Sequence, residues 1–597
     1  MFDLLEDHPS LQEMSGLDAA FLYLETPSTP MHVGGLSIMD GSLTFEGFRE
    51  LMASRIHLVP VLTRRLVDVP FGLDKPYWMD DPDFNLDWHI HHSALPAPGD
   101  WNQLRRLCSR TFSQPLDRSR PLWEMVLVEG LDHIPQIPPG SVAIINKIHH
   151  ACIDGMSGAD IIGMLFDVTK EPRDIPPAPY KRVSTMPSDL ELLKHAARGL
   201  VRRPRALPKL FADVTKAVGR ATALAKAAPE APPTLPFQAP PTPLNRQISS
   251  NRLWNVALLE LHRVKRLKRL MDCTVNDVVL AICAGALRTY LEEKDALPEA
   301  PLVTMVPVST RSKSEKNTMG NQVSGMFIQL ATDIADPVER LRKIHTNASV
   351  GKTYQGAVGA KNLIKATEFV PFGLAAQAAR AYSRSQLADY HRPVFNCVIT
   401  NVPGPQVPLY LNGAQLLAQM GSAPILDGMG LMIVVTSYNG VLAISPTSSP
   451  AVMPDLDRFN ELLWRSANEL EAAINALDLN EDGPQLKKGA VAAVFKAAKR
   501  QLDDQPELEL PATGVYRFEV TGGQAQVWTF RLGETRSLLP EDSDDALCSM
   551  RMVDYEFLQL AAGKLDGPGA FMSGKLKVKG DIKAAIGFGK VLAALTS

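Results

Sequence analysis

Two adjacent histidines, His149 and His150, close the apolar run Val142–Ile148, and Asp154-Gly155 follows them. An imidazole has an ordinary pKa of about 6.5, so its neutral form is available near pH 7 to take a proton. General-base catalysis is therefore the first chemistry this stretch could perform. The short run is rich in β-branched residues, as in a buried strand. Side chains alternate along a strand, so His150 is expected to share a face with Ile148, Asn146, Ile144 and Val142. His149 would face the other way, with Lys147 and Ile145. Only one of the two rings can then point into a given cleft. Asp154-Gly155 is a turn signal, and Asp154 can reach back to fix a ring or the loop. Ser157 with Asp160 resembles a capping box that opens a helix. Paired histidines also serve as plain structural or surface residues, and the pair alone does not decide between roles. A metal site fits poorly, because neighbouring strand side chains diverge and no HExxH or close Cys/His cluster completes a ligand set.

A second candidate lies at Cys273-Thr274-Val275-Asn276-Asp277, ahead of a helix predicted over Val278–Leu291. Thr274 or Asn276 can cap that helix. An Asn276 amide near a reacting carbonyl could also donate to a developing oxyanion. The capping role and the chemical role both stay open. Trp123 reads as core packing, and Cys152 as a small buried apolar residue.

The stretch His149-His150-Ala151-Cys152-Ile153-Asp154-Gly155 resembles the HHxxxDG pattern of the acyl-CoA-dependent acyltransferase superfamily. Further stretches narrow the likeness: Leu17-Asp18-Ala19-Ala20-Phe21, Pro30-Met31-His32-Val33-Gly34, Arg120-Pro121-Leu122-Trp123-Glu124 and Val275-Asn276-Asp277-Val278. Pro307-Val308-Ser309-Thr310-Arg311, Gly320-Asn321-Gln322 and Thr400-Asn401-Val402-Pro403-Gly404-Pro405 follow in order. Together, from about residue 14 to about residue 475, they resemble the bacterial bifunctional wax ester synthase/diacylglycerol acyltransferases. The resemblance implies an α/β fold of two chloramphenicol-acetyltransferase-like lobes, with a tunnel between them and HHxxxDG at its middle. It implies long-chain acyl-CoA as co-substrate and diacylglycerol or a long-chain alcohol as acceptor. His150 would be the base, helped by His149, Asp154, Gly155 and Asn276. No cofactor, metal or covalent intermediate is expected. The Asn401–Pro405 stretch reads as a rigid turn, and the resemblance places it in the channel wall.

The rest of the chain bounds these readings. At 597 residues it is long enough for several domains. Net charge is −3 and charged residues are 21%, so nothing global points to nucleic acid. Six scattered cysteines without CxxC spacing fit reduced thiols of a cytoplasmic protein. No secretory signal and no run of about 18 apolar residues is visible, so any contact with a membrane or lipid inclusion is expected to be peripheral.

Four segments are expected. Residues 1–172 form a first acyltransferase lobe. Residues 173–247 form a Pro-rich crossover linker with two helical stripes, Leu190/Leu193/Ala197/Leu200/Val201 and Leu210/Val214/Ala217/Ala221/Leu224. Between Lys181 and Lys226 stand 11 Lys+Arg against 3 Asp+Glu, which suits either an anionic lipid surface or a solvated basic face. Residues 248–477 form the second lobe. In residues 478–597, the stretch from about residue 488 to residue 597 resembles a sterol-carrier-protein-type α+β lipid-binding domain, which implies an apolar cavity. Lys575, Lys577 and Lys579 there suit a solvated strand face or a basic rim for lipid heads. Two other readings stay open: an acyltransferase fed by a carrier-protein thioester, and a non-catalytic lipid-binding protein.

Overall fold

A computed structural model describes residues 11–153, 158–178, 185–202, 234, 237–309, 323–358, 372–477, 489–505 and, with short breaks, 513–595. Two compact units divide the chain. The first is Met1–Val402, Leu409–Thr436 and Val441–Leu477; the second is Pro403–Pro408, Ser437–Gly440 and Asp478–Ser597.

The first unit opens with β1 (Gln12–Glu13) and α1 (Gly16–Leu24). Ser15 caps α1 by accepting from the Asp18 N–H, and Asp18 in the first turn suits the helix dipole. Next come β2 (His32–Met39), α2 (Phe45–Arg55), β3 (Arg64–Val67), β4 (Tyr77–Asp80) and β5 (Ile90–Ala94). An Asp100/Gln103 capping box starts α3 (Trp101–Ser113). Then follow β6 (Trp123–Glu129), β7 (Val142–His149), α4 (Gly158–Leu165) and α5 (Asp189–Arg202).

The later half of this unit supplies β8 (Leu253–Trp254), β9 (Ala257–Glu260), α6 (Leu261–Leu270) and α7 (Val275–Glu292). After these come β10 (Val303–Ser309), β11 (Val323–Gln329), α8 (Pro337–Val358), α9 (Phe372–Arg384) and β12 (Cys397–Pro403). The unit ends with β13 (Tyr410–Leu411), β14 (Ala414–Ser422), β15 (Leu431–Tyr438), β16 (Val441–Ser448) and α10 (Leu456–Asn475).

Two mixed sheets carry these elements. One runs β13-β14-β2-β7-β6-β5; the other runs β11-β10-β12-β15-β16-β8, with β9 also on β16. A small third sheet runs β1-β4-β3. The first large sheet is not built from the first half alone. Strand β14, from far along the chain, pairs antiparallel with β2, from Leu416 opposite Met39 to Ser422 opposite Gly34. Glycine is needed where β2 is squeezed on both sides. A Cβ at Gly34 would meet the Asn146 carbonyl at 2.2 Å, and one at Gly35 the Met420 carbonyl at 2.2 Å. Helix α3 covers one face of this sheet, where Leu104, Cys108 and Phe112 bury Ala143 and Ile145 with Trp254. The other large sheet packs on α7, which is buried along almost its whole length, and on α10.

Several elements differ from expectation. Strand β7 ends at His149, and His150 opens a 3-10 turn, His150–Ile153, rather than continuing the strand face. Helix α5 turns Leu192 and Ala196 inward against Val67, Val69, Tyr77 and Met79, while Leu190 is 62% exposed. The predicted stripe is therefore out of phase, because the receiving pocket on the small sheet selects the face. Asn401, Val402 and Pro403 extend β12 instead of turning. Of the two expected capping candidates, Thr274 is the one that caps α7. The stripe from Leu210 to Leu224 lies outside the described residues, as do Thr310, Arg311, Gly320, Asn321 and Gln322. No single helix among the described residues is long and apolar enough to cross a membrane.

The second unit contains α11 (Ala490–Asp504), β17 (Gly514–Thr521), β18 (Gln526–Leu532), β19 (Ser537–Leu539), β20 (Cys548–Val553), α12 (Asp554–Ala561), α13 (Gly567–Met572) and β21 (Leu576–Gly580). Its sheet runs β19-β18-β17-β20-β21. Phe495 of α11 stacks on Trp528 and on Phe557, with centroids 4.9 and 4.8 Å apart, in a core of aromatic rings. Lys575, Lys577 and Lys579 are exposed.

Candidate active site

The end of β7 is gripped from both neighbours. The His149 N–H donates to the Leu122 carbonyl at 2.9 Å, and the His150 N–H to the Met31 carbonyl at 2.8 Å. The Pro121-Leu122-Trp123 stretch and the start of β2 thus fix where the chain leaves the sheet. Trp123 is the core residue expected of it: its indole N–H donates to the Leu62 carbonyl and its ring stacks on His89. Cys152 is buried beside Ala151 and Leu122, and burial pushes its thiol up, away from thiolate chemistry.

The imidazole of His150 stacks on Phe21 of α1, with centroids 3.8 Å apart and planes 17° from parallel. The residue as a whole stays partly accessible, whereas its Nδ1 is buried with no hydrogen-bond partner among the described residues. That leaves Nε2 as the ring nitrogen a hydroxyl could meet. Burial lowers the pKa of His150 to about 4; interaction with its own backbone opposes this, and the nearby His149 adds to it. The ring is neutral, and so able to accept a proton, throughout the physiological range.

His149 is directed elsewhere. Its Nδ1 accepts from the Ala151 N–H at 3.1 Å, which leaves the proton on Nε2. That nitrogen stands 3.6 Å from Glu25 Oε1, beyond hydrogen-bond length but within ion-pair range. Glu25 also accepts from the Met31 N–H at 3.2 Å and from Arg118 Nε at 2.8 Å. Burial alone would raise the Glu25 carboxyl; His149 and Arg118 outweigh it and hold the group at about 2. Glu25 is thus a fixed negative charge. It seats the peptide of Met31, whose carbonyl in turn seats His150.

Two further buried groups share this side of the sheet. His32 lies opposite His149 across the β2–β7 ladder, with Nε2 3.1 Å from the Phe112 carbonyl. Burial, then the charge of Lys147, pushes its pKa down to about 3. Lys147 pairs with Glu124 at 2.8 Å.

Of the residues expected at the site, the structure brings His149 and His150 together with different surroundings. Asp154 and Gly155 lie outside the described residues, as does Ser157. Asn276 is the second residue of α7, partly exposed, and makes no side-chain hydrogen bond to a described residue. Its neighbour Asp277 is committed to structure, accepting from the Thr274 N–H at 2.9 Å and contacting His345 Nδ1 at 2.7 Å. No group of three or more His, Cys, Asp or Glu among the described residues could hold a metal ion.

Sequence reasoning missed Phe21, Glu25, Arg118 and His32. Phe21 lies in the last turn of α1 and Glu25 just past its end, in an extended conformation, so helical spacing gave no signal linking the two. Glu25→Gln keeps an acceptor for Met31 but removes the charge facing Arg118. It is expected to cost about 1–3 kcal/mol of stability and to lower kcat more than it raises either KM. Thermal unfolding and steady-state kinetics check this; an unchanged kcat would remove Glu25 from the positioning of His150.

Comparison with known proteins agrees with this geometry. Residues 14–279 match the wax ester synthase/diacylglycerol acyltransferase catalytic domain, and residues 319–471 match the C-terminal domain of that family. Residues 495–593 match the SCP-2 sterol transfer family. A Mycobacterium tuberculosis protein bearing the name diacylglycerol O-acyltransferase is 35% identical over 487 residues, covering 80% of this chain and 92% of that one. Another from the same organism is 34% identical over 469 residues, covering 77% and 100%. Among solved structures, the wax ester synthase/diacylglycerol acyltransferase from Marinobacter aquaeolei VT8 superposes with a TM-score of 0.55 at 27% identity, over 78% of this chain and 100% of that one. The α/β architecture expected for such enzymes is therefore the one observed, and the chain belongs to the wax ester synthase/diacylglycerol acyltransferase family, carrying an SCP-2 domain after the acyltransferase.

Proposed function

We propose that the protein moves a long-chain fatty acyl group from acyl-CoA to the hydroxyl of diacylglycerol or of a long-chain alcohol, with His150 as general base. One observation supports the assignment of the base: a neutral ring held flat against Phe21, its Nδ1 buried, in a residue that stays partly accessible. Nε2 takes the hydroxyl proton as the oxygen attacks the thioester carbonyl. The tetrahedral intermediate collapses, the C–S bond breaks, and the departing thiolate recovers the proton from the imidazolium. The new bond is an ester C–O bond. The amide of Asn276 is free of capping duty, which suits it to donate to the oxyanion. No serine or cysteine nucleophile enters, and the buried Cys152 thiol supports that reading.

The test is purified protein with palmitoyl-CoA and a panel of diacylglycerol and long-chain alcohols, followed by free-thiol release and ester identification. Absence of ester with every acceptor would end the proposal; product from a carrier-protein thioester alone would move the protein to a different acyl donor.

The SCP-2 unit is proposed to hold lipid acceptor or product at high local concentration. A chain ending at Asp478 should then lose activity on vesicle-borne diacylglycerol more than on detergent-dispersed diacylglycerol. Equal retention in both would leave the unit without this role. Flotation in the same vesicle preparation tests the proposed peripheral attachment to lipid surfaces.

A further inference from the structure

The C-terminal end of α3 and the segment entering β8 flank an open pocket of about 540 Å³, whose wall combines Arg110, Ser113, Gln114, Ser250, Asn251 and Arg252 with the apolar Leu253 and Pro450 and holds no carboxylate. Arg252 is only 4% exposed. Its guanidinium donates to the carbonyls of Ser249 at 2.7 Å, Asn251 at 3.2 Å and Ser28 at 2.5 Å. All three acceptors are neutral, and Asp427 acts on the guanidinium only at a distance, a charge that burial outweighs; no carboxylate pairs directly with it among the described residues. Arg110 reaches the same space from the surface of α3 and has no ion-pair or hydrogen-bond partner among them. The side chains of Gln114, Ser250 and Asn251 are likewise uncommitted there. Two cations with three uncommitted polar side chains beside them give this pocket a positive lining that suits an anion. The planar forks of arginine match the oxygens of phosphate.

The position of the pocket says which phosphate. Arg252 holds the Ser28 carbonyl, and three residues later the Met31 carbonyl holds His150. Its charge also reaches His32, the cross-strand partner of His149. The floor of the pocket and the proposed base are thus fastened to the same short segment. Coenzyme A carries its phosphates at one end of a long, thin arm and its thioester at the other. We infer that this pocket binds the phosphates at the nucleotide end of acyl-CoA, while the thioester end extends to His150; the inference rests on the acyl-CoA reaction proposed above. The other phosphate available to an enzyme of lipids is a phospholipid headgroup, which the same chemistry would accept.

The substitution to make is Arg110→Glu in the full-length chain, since Arg110 is exposed and holds no structural contact. It is expected to lower kcat/KM for palmitoyl-CoA by roughly ten- to a hundredfold, mainly through KM. The preference for palmitoyl-CoA over palmitoyl-pantetheine, which lacks the nucleotide, should shrink with it. Adenosine 3′,5′-bisphosphate should compete with palmitoyl-CoA in the parent protein and much less in the variant. If the two proteins share the same preference, or if the parent uses both donors equally well, the inference is overturned although the acyl-transfer reading stands. If Arg110→Glu weakens binding to phosphatidate vesicles but leaves the KM for palmitoyl-CoA unchanged, the ligand is a headgroup and the nucleotide assignment is wrong. If neither donor yields ester, the reaction itself has been misread, and this inference falls with it.

Discussion

His150→Ala should reduce kcat by roughly 10²- to 10⁴-fold, the range expected when a positioned general base is lost, with the fold intact. The ring is neutral and stacked on Phe21, and the residue is partly accessible, so its removal leaves a modest gap and no stranded charge. His149→Ala should behave in the opposite way. Its ring is 1% exposed and receives the Ala151 N–H while facing Glu25. Losing it strands a buried donor, at about 1–3 kcal/mol, but removes no group that a hydroxyl could reach. The informative measurement is kcat for both variants beside their thermal unfolding curves. Equal losses of turnover at equal stability would refute the division of labour between the two rings.

Acidification should weaken the fold well before the carboxylates titrate. In the unfolded chain His32 and His150 take up protons near pH 6.5; in the native state they do so only at about 3 and about 4. As pH falls from 6.5 toward 4, the unfolded chain binds up to two more protons than the native one. Stability is lost in that direction, at up to about 2.7 kcal/mol per pH unit where both sites differ fully. Glu25 acts in a separate, lower window. Its native carboxyl is held at about 2, so the stability it adds is present above its unfolded pKa of about 4.3 and is lost as pH drops toward 2. Urea midpoints at pH 7 and pH 5 measure the histidine effect, and His32→Gln should flatten the dependence. Identical midpoints at the two pH values would show that the two rings are not shielded as the structure has them.

Local patterns carried much of this architecture. The alternation of Tyr516–Val520 and Gln526–Leu532 marked a real hairpin, and Thr274 a real cap. The opposed surroundings of His149 and His150 were also legible from strand alternation, though the separation is completed by a 3-10 turn. What escaped depends on partners distant in sequence. Glu25 gains its meaning from Arg118, 93 residues away. The inward face of α5 is chosen by Val67, Val69 and Tyr77, which no helical stripe can anticipate. Asn401–Pro403 carries turn-forming residues, yet it continues β12, in the same sheet as β10 and β15. Tertiary pairing overrode local preference there.

Strand β14 has a mechanical consequence. Its ladder with β2 stitches the later half of the acyltransferase into the earlier half by main-chain hydrogen bonds. Such a seam cannot hinge open like jaws without breaking the main-chain bonds along one edge of β2, the strand whose other edge lies next to the Met31–His150 contact. Entry of bulky, greasy reactants then has to rely on the yielding of side chains and loops and not on a parting of the two halves.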